Sequence, residues 1–301
     1  MRKPLITALI ALFGLLAMSD GASANSVNIA PKDVNAIELK QVASKERIVA
    51  LANGSAEIIA ALGFRSSIVG RDIASTTPEL KGIPIVTSGH QVIAEQVISL
   101  KPTIVIVDAS VGPRSALDAI RSAKIKVESI PEAWNLADIK NKVDQIGVLL
   151  NESIRAKSFD QLVSKAISDA KSFIGWKPKV AFLYLRGPSS IYLIGGPGSG
   201  ADSLINSLGG IDIGAKNLKN PFNTLTSEAL VKSNPDVILV MTKGLQSVGG
   251  ESGLLALPGV SLTNAGKAKR FLIVDDSLLL SFGPRTPSLM VKMAKALKVL
   301  K

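Results

Sequence analysis

The stretch Val86-Thr-Ser-Gly-His-Gln-Val-Ile-Ala-Glu-Gln-Val-Ile-Ser-Leu-Lys-Pro-Thr-Ile-Val-Ile-Val107 compresses a turn, a short helix and a strand into one run. Gly89 marks the turn, and His90, the only histidine of the chain, follows it. Val92 to Leu100 reads as helix, Lys101-Pro102 ends it, and Ile104 to Val107 is a strand of β-branched residues alone. A second copy of this pattern decides the fold class. Glu95-Gln-Val-Ile-Ser-Leu-Lys-Pro102 and its strand match Glu228-Ala-Leu-Val-Lys-Ser-Asn-Pro235, followed by Val237 to Met241. Likewise Gly54-Ser-Ala-Glu-Ile-Ile-Ala-Ala-Leu-Gly63 lines up without gaps on Gly200-Ala-Asp-Ser-Leu-Ile-Asn-Ser-Leu-Gly209. Two matches in the same order mean two similar lobes, and paired lobes leave a cleft where ligands commonly bind.

Outward from this stretch, short apolar strands alternate with helices, which predicts parallel pairing in an α/β fold. Arg47 to Leu51 reads as a buried strand, Ser55 as the N-cap of the helix ending at Gly63, and Ile68 to Arg71 as the next strand. From Asn135 to Ile174 no proline interrupts a helical pattern broken only by Gly147. Leu136, Ile139, Val143, Ile146, Leu149 and Leu150 fall on one apolar stripe, which Phe159, Leu162 and Val163 continue. This predicts one long helix as a rigid strut between Rossmann-like lobes. The expected boundaries are a leader over 1–24, an N-terminal extension over 25–45, a lobe over 46–134, the inter-lobe helix over 135–176 and a second lobe over 177–301.

The leader is read from Arg2 and Lys3, the apolar run Leu5 to Leu16, and the small-x-small signal Ala22-Ser23-Ala24. The apolar run is too short for a comfortable membrane span. The chain has no cysteine, so neither disulfides nor a lipid-bearing cysteine are expected. That predicts an exported protein of the periplasm or cell envelope with no lipid anchor. The net charge of +11 is dispersed and aromatic residues are scarce, so the basic residues read as a solvated surface and not a nucleic-acid site.

Enzyme signatures are thin. One histidine and no cysteine exclude a multi-histidine zinc site and a thiol nucleophile, and no G-x-S-x-G elbow is present. Gly195-Gly-Pro-Gly-Ser-Gly200 lacks the Lys-Ser/Thr that closes a phosphate loop and reads as a structural turn before the repeated helix. Two tyrosines remain. Tyr184 lies in Phe182-Leu-Tyr-Leu-Arg-Gly187, where period two puts Tyr184 and Arg186 on one face. Phenolate is a hard anionic ligand that suits ferric iron. Tyr192 alternates with Ile191 and Leu193 and reads as packing. His90 is either a hydrogen-bonded surface residue or a ligand, with its loop position favouring ligation. Met241, Phe222 and Phe282 are apolar candidates for a cleft wall, and Arg285 is a candidate partner for a ligand carboxylate.

Arg47 to Gly63, Val69-Gly-Arg71, Ser88-Gly-His90, Ala94-Glu95 and Leu100-Lys-Pro102 resemble substrate-binding proteins of ABC importers for haem, cobalamin and ferric siderophores. The resemblance covers essentially the whole mature chain. Gly89-His90, Tyr184-Leu-Arg186, the glycine-rich run to Ser203, Met241-Thr-Lys-Gly244 and Phe282-Gly-Pro-Arg-Thr-Pro287 are similar to an actinobacterial haem-uptake branch. It implies a class III substrate-binding protein that is no enzyme and captures haem b for a permease dimer with ATPase subunits. The implied axial iron ligands are His90 and Tyr184, with Arg186 bonded to the tyrosine and Met241 lining the pocket. Propionates are expected near Arg285 or Arg71. Glu95 and Glu228, one per lobe, are the implied docking carboxylates for the two permease subunits, and the carrier is expected to be a monomer. Cobalamin or a ferric siderophore in the same fold is the alternative cargo.

Overall fold

The computed structural model describes residues 26–89, 91–170, 176–187 and 192–301. The expected leader over 1–24 lies outside them. Strands β1 (Val27–Ile29), β2 (Ile48–Ala50), β3 (Ile68–Arg71), β4 (Thr87–Ser88), β5 (Gln91–Val92), β6 (Ile104–Val107) and β7 (Lys126–Ser129) come first. Of these, β3-β2-β6-β7 form an all-parallel sheet. Strands β4 and β5 make a small antiparallel hairpin around the Gly89 turn. The second lobe contributes β8 (Lys179–Tyr184), β9 (Tyr192–Gly195), β10 (Ile211–Asp212), β11 (Phe222–Leu225), β12 (Val237–Met241) and β13 (Phe271–Val274). Its sheet runs β1-β13-β12-β8-β9-β11, with β10 on β8; only β9 and β11 introduce antiparallel pairs. Strands β2, β6, β12 and β13 are buried throughout, which is why they read as unbroken apolar runs. The α/β fold with two lobes stands.

Both repeats are real elements. Helices Ala94–Ser99 and Ser227–Ser233 precede β6 and β12, and helices Ser55–Ile59 and Ala201–Ser207 are their counterparts nearer each lobe's start. One detail differs: Ser55 is not the N-cap. Gly54 holds that position at φ 70°, and the Ser55 hydroxyl donates back to the Ala52 carbonyl at 2.6 Å.

Two larger expectations are corrected. The apolar stripe over 135–176 is carried by two helices, Asp138–Leu149 and Ser153–Ala170, joined by a tight turn at Asn151 with φ 57°. Gly147 allows the turn, because a Cβ there would collide with the Ala156 side chain. A hairpin keeps its apolar face on one side, so its periodicity imitates a single helix. Ser153–Ala170, about 27 Å long, spans the lobes. It packs on the turn Ala60–Phe64 of the first lobe and on the C-terminal helix Thr286–Val299 of the second.

The second correction concerns the N-terminal extension over 25–45, which is an integral strap. Its β1 is the parallel edge strand beside β13 in the second lobe. The strap then bonds Pro284 through Ile37 (3.0 Å) and reaches the first lobe at Ala61 through Leu39 (2.8 Å).

Among the described residues three apolar cores result. One face of each sheet has a private core. The other faces share one continuous core, running from Ile48 and Ile106 through Val143 and Phe159 to Phe182, Val274 and Met293. The lobes are therefore fused through packed side chains and not hung on a flexible strand. Among the described residues no helix is long and apolar enough to cross a membrane.

Candidate functional site

A cleft of about 530 Å³ opens between the lobes. Its first-lobe wall includes Leu51, Asn53, Asp72, Ile73, Thr87 and Gly89. The second-lobe wall includes Tyr184, Arg186, Phe222, Lys243, Asp276 and Leu280, and Trp134 stands between them.

The centre of the second wall is aromatic. β8 ends at Tyr184, and its pleat turns Ala181 and Leu183 to the private core while Phe182 and Tyr184 face the other way. β11 brings Phe222 against Tyr184, ring centroids 4.9 Å apart, and Phe182 closes the cluster edge-on at 6.4 Å. Arg186 folds back so that its Nη2 donates to the Tyr184 hydroxyl, with its guanidinium 4.8 Å from the ring centroid. The phenol oxygen is thus held by a cation on one side and open to the cleft.

The carboxylates in the cleft serve its loops. Asp72 takes the Ser75 hydroxyl and the Ala74 amide (2.9 Å), and burial raises its pKa above the usual carboxylate range. Asp275 caps the helix Asp276–Leu279 through Ser277, and Asp276 accepts the Lys243 amide at 3.0 Å. Among the described residues the cationic side chains of the lining are Arg186 and Lys243.

Sequence-expected residues divide clearly. Tyr184, Arg186 and Phe222 come together as one cluster. His90 lies outside the described residues, as does the Tyr192 side chain; Gly89, the chain neighbour of His90, lines the cleft. Met241 does not line it. That side chain is 4% exposed and belongs to the shared core, because β12 is buried through its last residue. Arg71 does not line it either: its Nη1 donates to the carbonyls of Asp72 (3.2 Å) and Ser75 (2.7 Å), holding the wall from behind. Arg285 is displaced furthest. It is 5% exposed and forms a two-point ion pair with Glu57 at 2.6 and 2.9 Å, so its charge is spent inside the protein. Phe282 is also internal, packed against Gly200. Glu95 and Glu228 are exposed in the first turns of their helices, clear of the cleft.

Sequence reading missed Trp134, Lys243 and Asp72. Trp134 is one of two tryptophans and precedes the helical hairpin, which was its available signal. The glycine-rich run is structural as expected. Asp202 accepts the amides of Gly198 (2.9 Å) and Gly200 (3.1 Å), donors a phosphate would need, and Gly195 and Gly196 pack without room for a Cβ.

Over residues 48–278 the chain matches the Periplasmic binding protein family, most of its length. It belongs to that family. A Bacillus subtilis relative, an uncharacterized ABC transporter substrate-binding lipoprotein, is 32% identical over 80% of this chain and 76% of its own. The periplasmic heme-binding protein RhuT from Roseiflexus sp. RS-1 superposes with a TM-score of 0.80 at 34% identity, covering 86% of this chain and all of RhuT. The heme-binding protein HmuT superposes at 0.77 with 30% identity, covering 90% of this chain and 96% of HmuT. HmuT has also been solved with a tyrosine, the arginine two positions after it, and a histidine each changed to alanine. Membership makes this chain an extracytoplasmic binding protein and not an enzyme, in agreement with the sequence reading.

Proposed function

We propose that this protein is the substrate-binding component of an ABC importer and carries haem in the inter-lobe cleft. The observation that carries the reading is the Tyr184–Arg186–Phe222 cluster on the cleft wall. A phenol oxygen bonded to a guanidinium and presented to a cleft is a ready axial ligand for ferric iron, while Phe222, Ile73 and Leu280 offer apolar surface to a flat macrocycle. His90, next to the cleft-lining Gly89, is the proposed second axial ligand. With Arg71 and Arg285 turned away from the cleft and Arg186 holding the Tyr184 hydroxyl, Lys243 is the proposed propionate partner. Glu95 and Glu228, one on each lobe, suit two permease subunits related by a two-fold axis. The protein acts as a monomer outside the cytoplasmic membrane.

Titration of the apoprotein with haemin tests this. A Soret band is expected, shifted in both Tyr184→Phe and His90→Ala; a spectrum unchanged in both variants rejects the axial assignment. The second reading is cobalamin, favoured by a Halobacterium salinarum cobalamin-binding protein 24% identical over 92% of this chain. Binding of cyanocobalamin with no binding of haemin decides for it.

A further inference from the structure

We infer that the buried Glu57–Arg285 ion pair is a pin that sets the angle between the lobes, making both residues positioning residues for the cleft. Glu57 belongs to the first lobe, in helix Ser55–Ile59, and Arg285 to the second, at the start of the C-terminal helix. Nε and Nη2 of one guanidinium meet both oxygens of one carboxylate, a planar fork that fixes direction as well as distance. Arg285 Nη2 also reaches the Ser277 carbonyl at 3.2 Å, and Ser277 lines the cleft floor. Beside the pair, Asn53 Nδ2 donates to the Leu280 carbonyl at 3.0 Å, joining two more floor residues across the lobe boundary. Below Asn53 the fully buried Lys142 donates its ammonium to the Asn53 carbonyl.

Apolar packing alone would hold the lobes together, but methyl surfaces slide. Directional bonds between buried charges single out one arrangement, and replacing such a pair by apolar residues often keeps stability while removing the directional constraint. Tyr184 and Gly89 come from different lobes, so a change in lobe angle moves the two walls relative to each other.

The absence of native cysteine makes the test clean. Ser99→Cys and Lys232→Cys, on exposed helix positions of the two lobes, carry spin labels in the full chain, and pulsed dipolar spectroscopy reads the inter-lobe distance without ligand. A narrow distribution is expected, widened or shifted by about 1–2 Å in Glu57→Gln, the scale of rearrangements at packed interfaces. Glu57→Leu/Arg285→Met, which retains volume without charge, covers the case in which the single variant does not fold. It should give the same widening. A broad native distribution, or a folded double variant with the native one, overturns the pin. The inference rests on the cleft being the ligand site only for its consequence: haemin affinity should fall in the variants while the Soret maximum stays put. A narrow distribution that widens on substitution, in a protein that binds no haemin, keeps the pin and rejects the haem reading.

Discussion

Phe222 contributes to the site by geometry alone. Its ring lies 4.9 Å from Tyr184 and lines the cleft, so Phe222→Ala removes an aromatic surface from the ligand, a contact worth about 0.5–1.5 kcal/mol when it stacks on a flat ring. Haemin affinity should fall about three- to tenfold by titration, with the Tyr184 spectral signature retained. Asp212 offers a second residue-level test. Burial pushes its carboxyl up to about 6, against the pull of the Gly214 and Ala215 amides that it caps. A raised folded-state pKa means its stabilising share is full below about 3.8 and is lost as pH rises through about 6. The loss cannot exceed about 1.4 kcal/mol per pH unit. Urea unfolding of Asp212→Asn across pH 4–7 should lack this contribution, and parallel curves for both proteins would refute the assignment.

At the scale of elements, the sequence repeat was legible because each copy has to build the same helix-then-strand unit. Glu95 to Val107 and Glu228 to Met241 carry the same apolar spacing and the same proline before the strand. The hairpin Asp138–Ala170 was not legible, since its two helices share one apolar stripe and its turn needs neither proline nor glycine at Asn151. Gly147 is the one available mark, and in sequence a helix break and a helix contact point look alike. Filling that contact with Gly147→Ala overpacks the hairpin and should cost about 1–3 kcal/mol by thermal or urea unfolding. A variant as stable as the native chain would mean the helices can part at no cost. The arginines expected at the cleft, Arg71 and Arg285, lie elsewhere for a related reason. A loop arginine and a buried one look alike in sequence, and only the fold brings Glu57 to Arg285 and the Ser75 carbonyl to Arg71.

For the whole molecule, the shared core predicts small closure on ligand binding, which hydrogen exchange should report as protection confined to the cleft loops. Docking is separable from capture. Charge reversal at both Glu95 and Glu228 should leave haemin titration unchanged and abolish uptake in a permease-dependent growth assay. Wild-type uptake in that variant would remove the docking role. Two lobes and a cleft followed from the duplicated pattern, yet nothing in a three-residue strand such as Val27–Ile29 announces which sheet it joins. Its partner, β13, is encoded about four-fifths of a chain length later, Val27 pairing with Leu272. That separation has a kinetic meaning. A chain made from its N-terminus delivers β1 first but cannot seat it until Leu272 to Val274 have arrived. The strap cannot tie both lobes until nearly the whole chain is present, so a half-made chain cannot hold a finished cleft.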